Sequence, residues 1–184
     1  MGEAALPEEM FFGGLGLFTA GGIPKAAYYA LTLLAKLGNR LLSRGDGFFL
    51  TESESGYQIV LYNYRHFSQL YAAGERFDMT FHDRYTPFAP EQSMDFHIRI
   101  RNVGNGSYTV RETVVSRKSG SAFDQWLRMG GMELQGADEL ECLLAHSKPL
   151  VTKYRTEAKK NTLEIDAMLD MLEVRLIEIV SERV

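Results

Sequence analysis

Apolar residues recur at helical spacing from Ala26 to Leu37, and beyond Gly38 they recur at every second position. The first stretch predicts a helix that opens with Pro24 in its first turn, where a missing N–H does no harm, and stops at Gly38. Its apolar residues Tyr28, Tyr29, Leu31, Leu33, Leu34 and Leu37 cover more than one stripe, so the helix requires neighbours on several sides. Alternation then predicts strands at 48–51, 57–63, 77–81 and 94–101. In the last of these Phe96, Ile98 and Ile100 alternate with His97, Arg99 and Arg101. Gly104-Asn105-Gly106 follows, and Tyr108 to Val115 reads as the returning arm of a hairpin with a wet basic face.

Short helices are predicted from Ser121 to Met129 and from Gly136 to about His146, ended by Lys148-Pro149. The remainder alternates again over 151–157, 161–168 and 172–180. Residues 163–179 also suit one amphipathic helix, but Lys159-Lys160-Asn161 and Leu169-Asp170 stand where turns would fall, which favours strands. About nine short strands with turns between them predict a mainly β chain folded as an antiparallel β-sandwich. The sandwich is expected over residues 39–184, with residues 1–38 forming a separate unit packed on it.

Composition narrows the class of protein. A chain of 184 residues with 45% apolar residues can bury one good core. A net charge of −4 with both signs interspersed argues against a nucleic-acid groove, which needs clustered Lys and Arg. One cysteine, Cys142, excludes an internal disulfide and fits a reducing compartment, so a cytoplasmic location is expected. The acidic start lacks the marks of a signal peptide, and no run approaches the ~20 apolar residues of a membrane span.

Three segments carry a family resemblance. Phe12-Gly13-Gly14-Leu15-Gly16-Leu17, followed by Gly22-Ile23-Pro24-Lys25 and the Tyr/Ala-rich helix, resembles the last loop and helix of the catalytic (β/α)8 barrel in glycoside hydrolase family 39, the β-xylosidase and α-iduronidase group. Gly120-Ser121-Ala122-Phe123-Asp124-Gln125-Trp126-Leu127-Arg128-Met129-Gly130 is similar to a further segment of that family. Leu61-Tyr62-Asn63-Tyr64-Arg65-His66-Phe67, with Leu70-Tyr71 and Arg84-Tyr85, is closer to AraC-type transcription regulators that carry a family-39-like module. Ser116-Arg117-Lys118-Ser119 departs from the Asp and His-Ser-Asn expected in the family's xylosidases.

The resemblance implies that residues 1–38 are the end of a TIM-type barrel and that the rest of the barrel is the chain's natural partner. Retaining glycosidases use two carboxylates about 5 Å apart. In the family both are Glu residues upstream of the matching segment, so no catalytic residue is expected here, nor any cofactor or metal. The implied role is the sugar-sensing module of an AraC-type regulator responding to xylose-type sugars. The alternatives are the C-terminal domain of a retaining β-xylosidase and a stand-alone carbohydrate-binding module.

Candidate contact residues follow from aromatic chemistry. Phe11 and Phe12 would border the sugar site of an intact barrel, whose active face is built by loops after its strands. Trp126 reads as a core anchor or a carbohydrate platform. Tyr62 and Tyr64, on one face beside His66, Phe67 and Tyr71, read as a surface for a sugar or for a neighbouring domain. Tyr28, Tyr29 and Leu33 on the helix are expected to drive self-association. Glu52 and Glu54 read as solvated charges, Cys142 and His146 as one helix face short of a metal site, and His82-Asp83 and Asp95-His97 as pairs with no nucleophile to serve.

Overall fold

A computed structural model of the chain describes residues 10–11, 16–19, 21–74, 80, 83–88 and 90–182. After the first helix, α1 (Ala26–Leu34), come three antiparallel strands, β1 (Arg40–Gly45), β2 (Phe48–Ser53) and β3 (Gly56–Tyr62). A long connection holding the single turn α2 (Gln69–Ala72) leads to β4 (Met94–Arg101) and β5 (Gly106–Val115). Then come α3 (Ala122–Arg128), α4 (Ala137–His146), β6 (Leu150–Ala158), β7 (Thr162–Leu169) and β8 (Val174–Ser181). Eight strands are thus formed among the described residues. The expected strand at 77–81 lies largely outside them, and β1, exposed throughout with Leu41 and Leu42 adjacent, follows no alternation that could announce it.

The strands form a six-stranded antiparallel sheet in the order β1-β2-β3-β8-β5-β6 and a two-stranded sheet, β4-β7. Between them Ile59, Leu61, Tyr108, Val110, Ile177 and Ile179 of the large sheet meet Ile100, Leu163, Ile165, Ala167 and Leu169 of the small one. Residues two apart on a strand share a face, so the alternation that marks β4 and β7 in the sequence is the alternation of this half-buried core, whereas in β8 Ile177 and Ile179 face the core and Val174 and Leu176 face α1. The fold is a mainly β, antiparallel sandwich with few helices.

The expected hairpin of residues 94–115 is not formed. Arg101 pairs with Thr162 and Met94 with Leu169, so β4 lies against β7, while β5 pairs with β6 and β8. The Gly104-Asn105-Gly106 connection carries the chain from one sheet to the other. A turn signal marks where the chain bends, and burial of Phe96, Ile98 and Ile100 against the large sheet decides where it goes. The tight hairpin is at Lys160-Asn161, both with positive φ (51° and 57°), after which β6 and β7 splay into different sheets. Residues 163–179 form β7 and β8, not a helix.

The large sheet is covered on its outer face by α1. Leu33 of α1 is buried against Val60, Val115 and Leu176, with Tyr29 and Leu37 alongside. Leu33 is therefore no exposed driver of self-association, and Tyr28 and Tyr29 are half-buried; the exposed apolar residues of α1 are Leu31 and Leu34. The helix ends at Leu34, earlier than its apolar pattern suggests, and the chain then passes so close to β2 that a Cβ at Gly38 would stand 2.2 Å from the Glu52 carbonyl oxygen. Helices α3 and α4 pack through Ala122, Trp126 and Leu143 against Phe11 and Ile23. Among the described residues no helix is long and apolar enough to cross a membrane.

Candidate functional site

Two places gather the residues singled out in the sequence. In the first, the Phe11 ring stands edge-on to Phe123 with centroids 5.7 Å apart and lies 5.3 Å from the Trp126 ring. Trp126 is buried, and its indole N–H donates to the Met132 carbonyl at 2.8 Å. Tyr85 reaches the same group, 6.1 Å from Phe123. A cavity of about 260 Å³ lies here, lined by Phe11, Ala27, Arg84, Tyr85 and Phe123. Three stretches separated in sequence, the segment before α1, Arg84-Tyr85 and α3, are thus brought together. Phe12 lies outside the described residues.

The polar half of this site is built on Asp124. Ser121 caps α3, accepting from the Asp124 N–H at 3.3 Å, and its hydroxyl donates back to Asp124 Oδ2 at 2.6 Å. The Tyr85 hydroxyl donates to the same oxygen at 2.8 Å, and Arg117 Nε to Oδ1 at 3.3 Å. Arg117 comes from the turn after β5, where the Ser116 hydroxyl accepts from the N–H groups of Lys118 and Ser119. Its guanidinium lies 3.8 Å from the Tyr85 ring centroid and donates to Glu91 at 2.6 Å. Burial, followed by the Asp124 carboxylate, pushes the Tyr85 hydroxyl far above its ordinary range. Burial works against the charge on Arg117, but its hydrogen bond to Asp124 and the adjacent negative charge outweigh that, and its net shift is upward. Two hydroxyls and a guanidinium take three of the roughly four acceptor sites of this carboxylate, so Asp124 anchors α3 to Tyr85 and to the turn after β5.

The second place is an apolar cleft of about 360 Å³ between α1 and the end of the large sheet, with Leu34, Phe49, Tyr62, Tyr64 and Leu172 on its walls. Tyr62 stacks on Phe49 at 6.0 Å, and the exposed Tyr64 stands edge-on to His66 at 4.8 Å. Phe67 packs with Tyr71 and Phe88 nearby in the chain. Asn63, between the two tyrosines, is buried and ties this end of β3 to the turn before β8: its N–H donates to the Glu173 carbonyl, and its own carbonyl accepts from the Leu172 N–H, both at 2.9 Å.

The candidate aromatics therefore fall into two sets: Phe11, packed on the buried Trp126, lines one cavity, and Tyr62 and Tyr64 line the other. Glu52 is paired with Arg40 at 3.1 Å. His146 Nδ1 lies 2.8 Å from the Cys142 carbonyl oxygen and 3.7 Å from its thiol, and no group of three metal-ligating residues occurs among the described residues. His97 pairs across the small sheet with Asp166, while His82 lies outside the described residues. Asp124, Tyr85 and Asn63 carry the polar structure of these sites without having been marked as site residues. The Ser121-x-x-Asp124 spacing is a helix-cap signature by which Asp124 could have been found, whereas no local spacing links Tyr85 to it.

The sequence profile of the glycosyl hydrolases family 39 matches residues 1–164. An uncharacterized HTH-type transcriptional regulator of Staphylococcus aureus (strain N315) is 22% identical over 172 residues, which is 94% of this chain and 22% of that protein. Among solved structures, a monomeric β-xylosidase from Caulobacter crescentus CB15 superposes with a TM-score of 0.74 at 21% identity, over 96% of this chain and 35% of that one. A GH39 enzyme from Xanthomonas axonopodis pv. citri gives 0.73 at 17% identity, over 94% and 33%. The chain thus spans about a fifth of the length of the curated relatives it matches, and the solved structures share its fold.

Proposed function

Because the chain belongs to glycosyl hydrolase family 39, we propose that it is the non-catalytic C-terminal sandwich of a larger family-39 protein, serving as part of the sugar-sensing module of an AraC-type transcription regulator. The observation that carries this reading is the alignment of 94% of the chain with an HTH-type regulator more than four times its length, of which it covers only 22%. In this reading residues 1–38 are the terminal loop and last helix of the barrel, and the remainder of the barrel, upstream, holds a xylose-type sugar. The parent acts in the cytoplasm, its DNA contacts come from the HTH region, and this chain steadies the barrel through the Phe11 and α1 packing. The likeness to β-xylosidase structures supports a second reading, the C-terminal domain of a retaining β-xylosidase. Two intact barrel Glu residues upstream would favour the enzyme, and a helix-turn-helix segment the regulator.

Both readings place sugar recognition outside this chain, and the local chemistry agrees. A sugar needs a partner for each hydroxyl it takes out of water. Asp124 is already committed, and the cleft at Tyr62 and Tyr64 is walled mainly by apolar side chains. Calorimetric titration with xylose, xylobiose and a longer xylan oligomer is expected to give no saturable heat, and an aryl β-xyloside no hydrolysis. Saturable heat with any of the three would make the sandwich a carbohydrate-binding module and overturn both readings of it as a scaffold.

A further inference from the structure

The turn after β5, the start of α3, the segment before β4 and the turn between β7 and β8 enclose a cavity of about 380 Å³. Its walls are polar, with Arg117, Lys118 and Arg128 set among Glu91, Asp124 and Asp170. Hydrogen bonds hold these remote segments together. Buried Asn63 donates through Nδ2 to the carbonyls of Gln92 and Asp170, at 2.9 and 3.1 Å, and so locks two of the walls to each other. The Ser116 hydroxyl shapes the turn that carries Arg117 and Lys118, and Asp124 ties that turn to α3. Lys118 joins it to Asp170 by an ion pair. The cavity is therefore built by the fold before anything enters it.

Two of its cations have donors to spare. Arg117 is fixed by three contacts: Nε on Asp124 at 3.3 Å, Nη1 on Glu91 at 2.6 Å, and its face 3.8 Å from the centroid of the Tyr85 ring. Its Nη2 has no hydrogen-bond partner among the described residues. Arg128 spends only Nε, on Gln125 Oε1 at 3.0 Å, and makes no ion pair among the described residues. Guanidinium N–H groups can only donate, and the planar pair of oxygens on a carboxylate matches them in shape and charge. A carboxylate by itself fills little of the cavity. The remaining wall presents Glu91, Ser93 and Asp170, whose oxygens accept, so the rest of a ligand must carry donors. We propose that this cavity binds a small polyhydroxy carboxylate, a sugar acid, with its carboxylate on Arg117 Nη2 and Arg128 and its hydroxyl groups on Glu91, Ser93 and Asp170. The three acidic side chains offset the three cations, so a bare anion gains little from the local field, and selectivity comes from matching donors to acceptors. A neutral sugar lacks the group that the two guanidinium ions require. The site stands on the cavity alone, whichever of the two readings of the parent protein holds.

Titration of this chain with sodium D-gluconate, followed by amide NMR shifts, tests the proposal. Saturable shifts are expected, confined to residues 91–93, 117–128 and 170–171. D-Glucitol, which keeps the hydroxyl chain without the carboxylate, and inorganic phosphate should each bind at least about tenfold more weakly. Arg128→Ala, an exposed position on α3, should weaken gluconate about tenfold while the thermal melt stays unchanged. No saturable shift with gluconate, shifts centred elsewhere, or phosphate bound as well as gluconate overturns the site. Equal affinity for D-glucitol, or an Arg128→Ala variant that binds gluconate like the parent, overturns the guanidinium–carboxylate contact on which the proposal rests. Titration with neutral xylose sugars reads none of these outcomes, so the scaffold reading and this site fail separately.

Discussion

Asp124 occupies the turn-to-helix step at the start of α3, where one carboxylate is used by Ser121, Tyr85 and Arg117 at once. The cap was legible in the sequence because its spacing is local. The rest was not, since Tyr85 lies 39 residues away and reaches Asp124 only through the folding of the long β3–β4 connection. The same contrast holds for Tyr62 and Tyr64: their shared cleft was foreseeable from spacing, whereas the burial of Asn63 between them depends on carbonyls 29, 106 and 107 residues distant. The Tyr85 hydroxyl makes a testable residue-scale claim. Its folded pKa is raised above the unfolded 10.0, so the stability it adds is complete below that pH and is lost as pH rises toward the folded value. Tyr85→Phe is expected to cost about 1 kcal/mol in urea unfolding at neutral pH. The variant should then lose less stability than the parent above pH 10, because it lacks the group that ionises only on unfolding. Tyr154, raised in the same direction by burial and by Glu112, remains in both proteins as an internal reference. An identical alkaline slope in the two would refute this account.

Among the elements, strands with one buried face were readable and edge strands were not. β4 and β7 alternate because one side meets the core, whereas β1 has no buried residue and so no pattern. A tight turn fixes strand pairing at only one of two places: β6 and β7 part into different sheets after Lys160-Asn161, whereas β2 and β3 stay paired through their turn. The second of these depends on Gly56, whose φ of 127° few other residues adopt, and where a Cβ would stand 2.1 Å from the Ile179 carbonyl oxygen of β8. Both obstacles are backbone, so no side chain can rotate to relieve them. Gly56→Ala is expected to destabilise the protein by at least about 2 kcal/mol in chemical denaturation. A variant within experimental error of the parent would show that β3 and β8 can separate at this end without cost.

For the whole molecule, the mainly β sandwich was legible from alternation and length, but the way α1 rests on it was not. The sequence suggested a boundary near Gly38, and the packing bears on how independent its two sides are: Leu33 fills a site on the sheet made by Val60, Val115 and Leu176. A chain beginning at Asn39 would expose that site. Losing one fully buried leucine and its partial companions should lower the melting temperature by about 10 °C and raise binding of a hydrophobic dye. Unchanged melting would mark Gly38 as the limit of a self-sufficient unit.

The strand order places β8, the most C-terminal strand, between β3 and β5 near the middle of the large sheet. Until residues 174–181 have been synthesised, β3 and β5 each present an open edge and the buried row of Ile59, Leu61 and Val110 has no centre to close on. A message truncated anywhere before Val174 therefore yields a product that is adhesive instead of merely shortened. Folding of the sandwich thus waits on β8, and up to that point proteolytic surveillance meets a chain with two open strand edges.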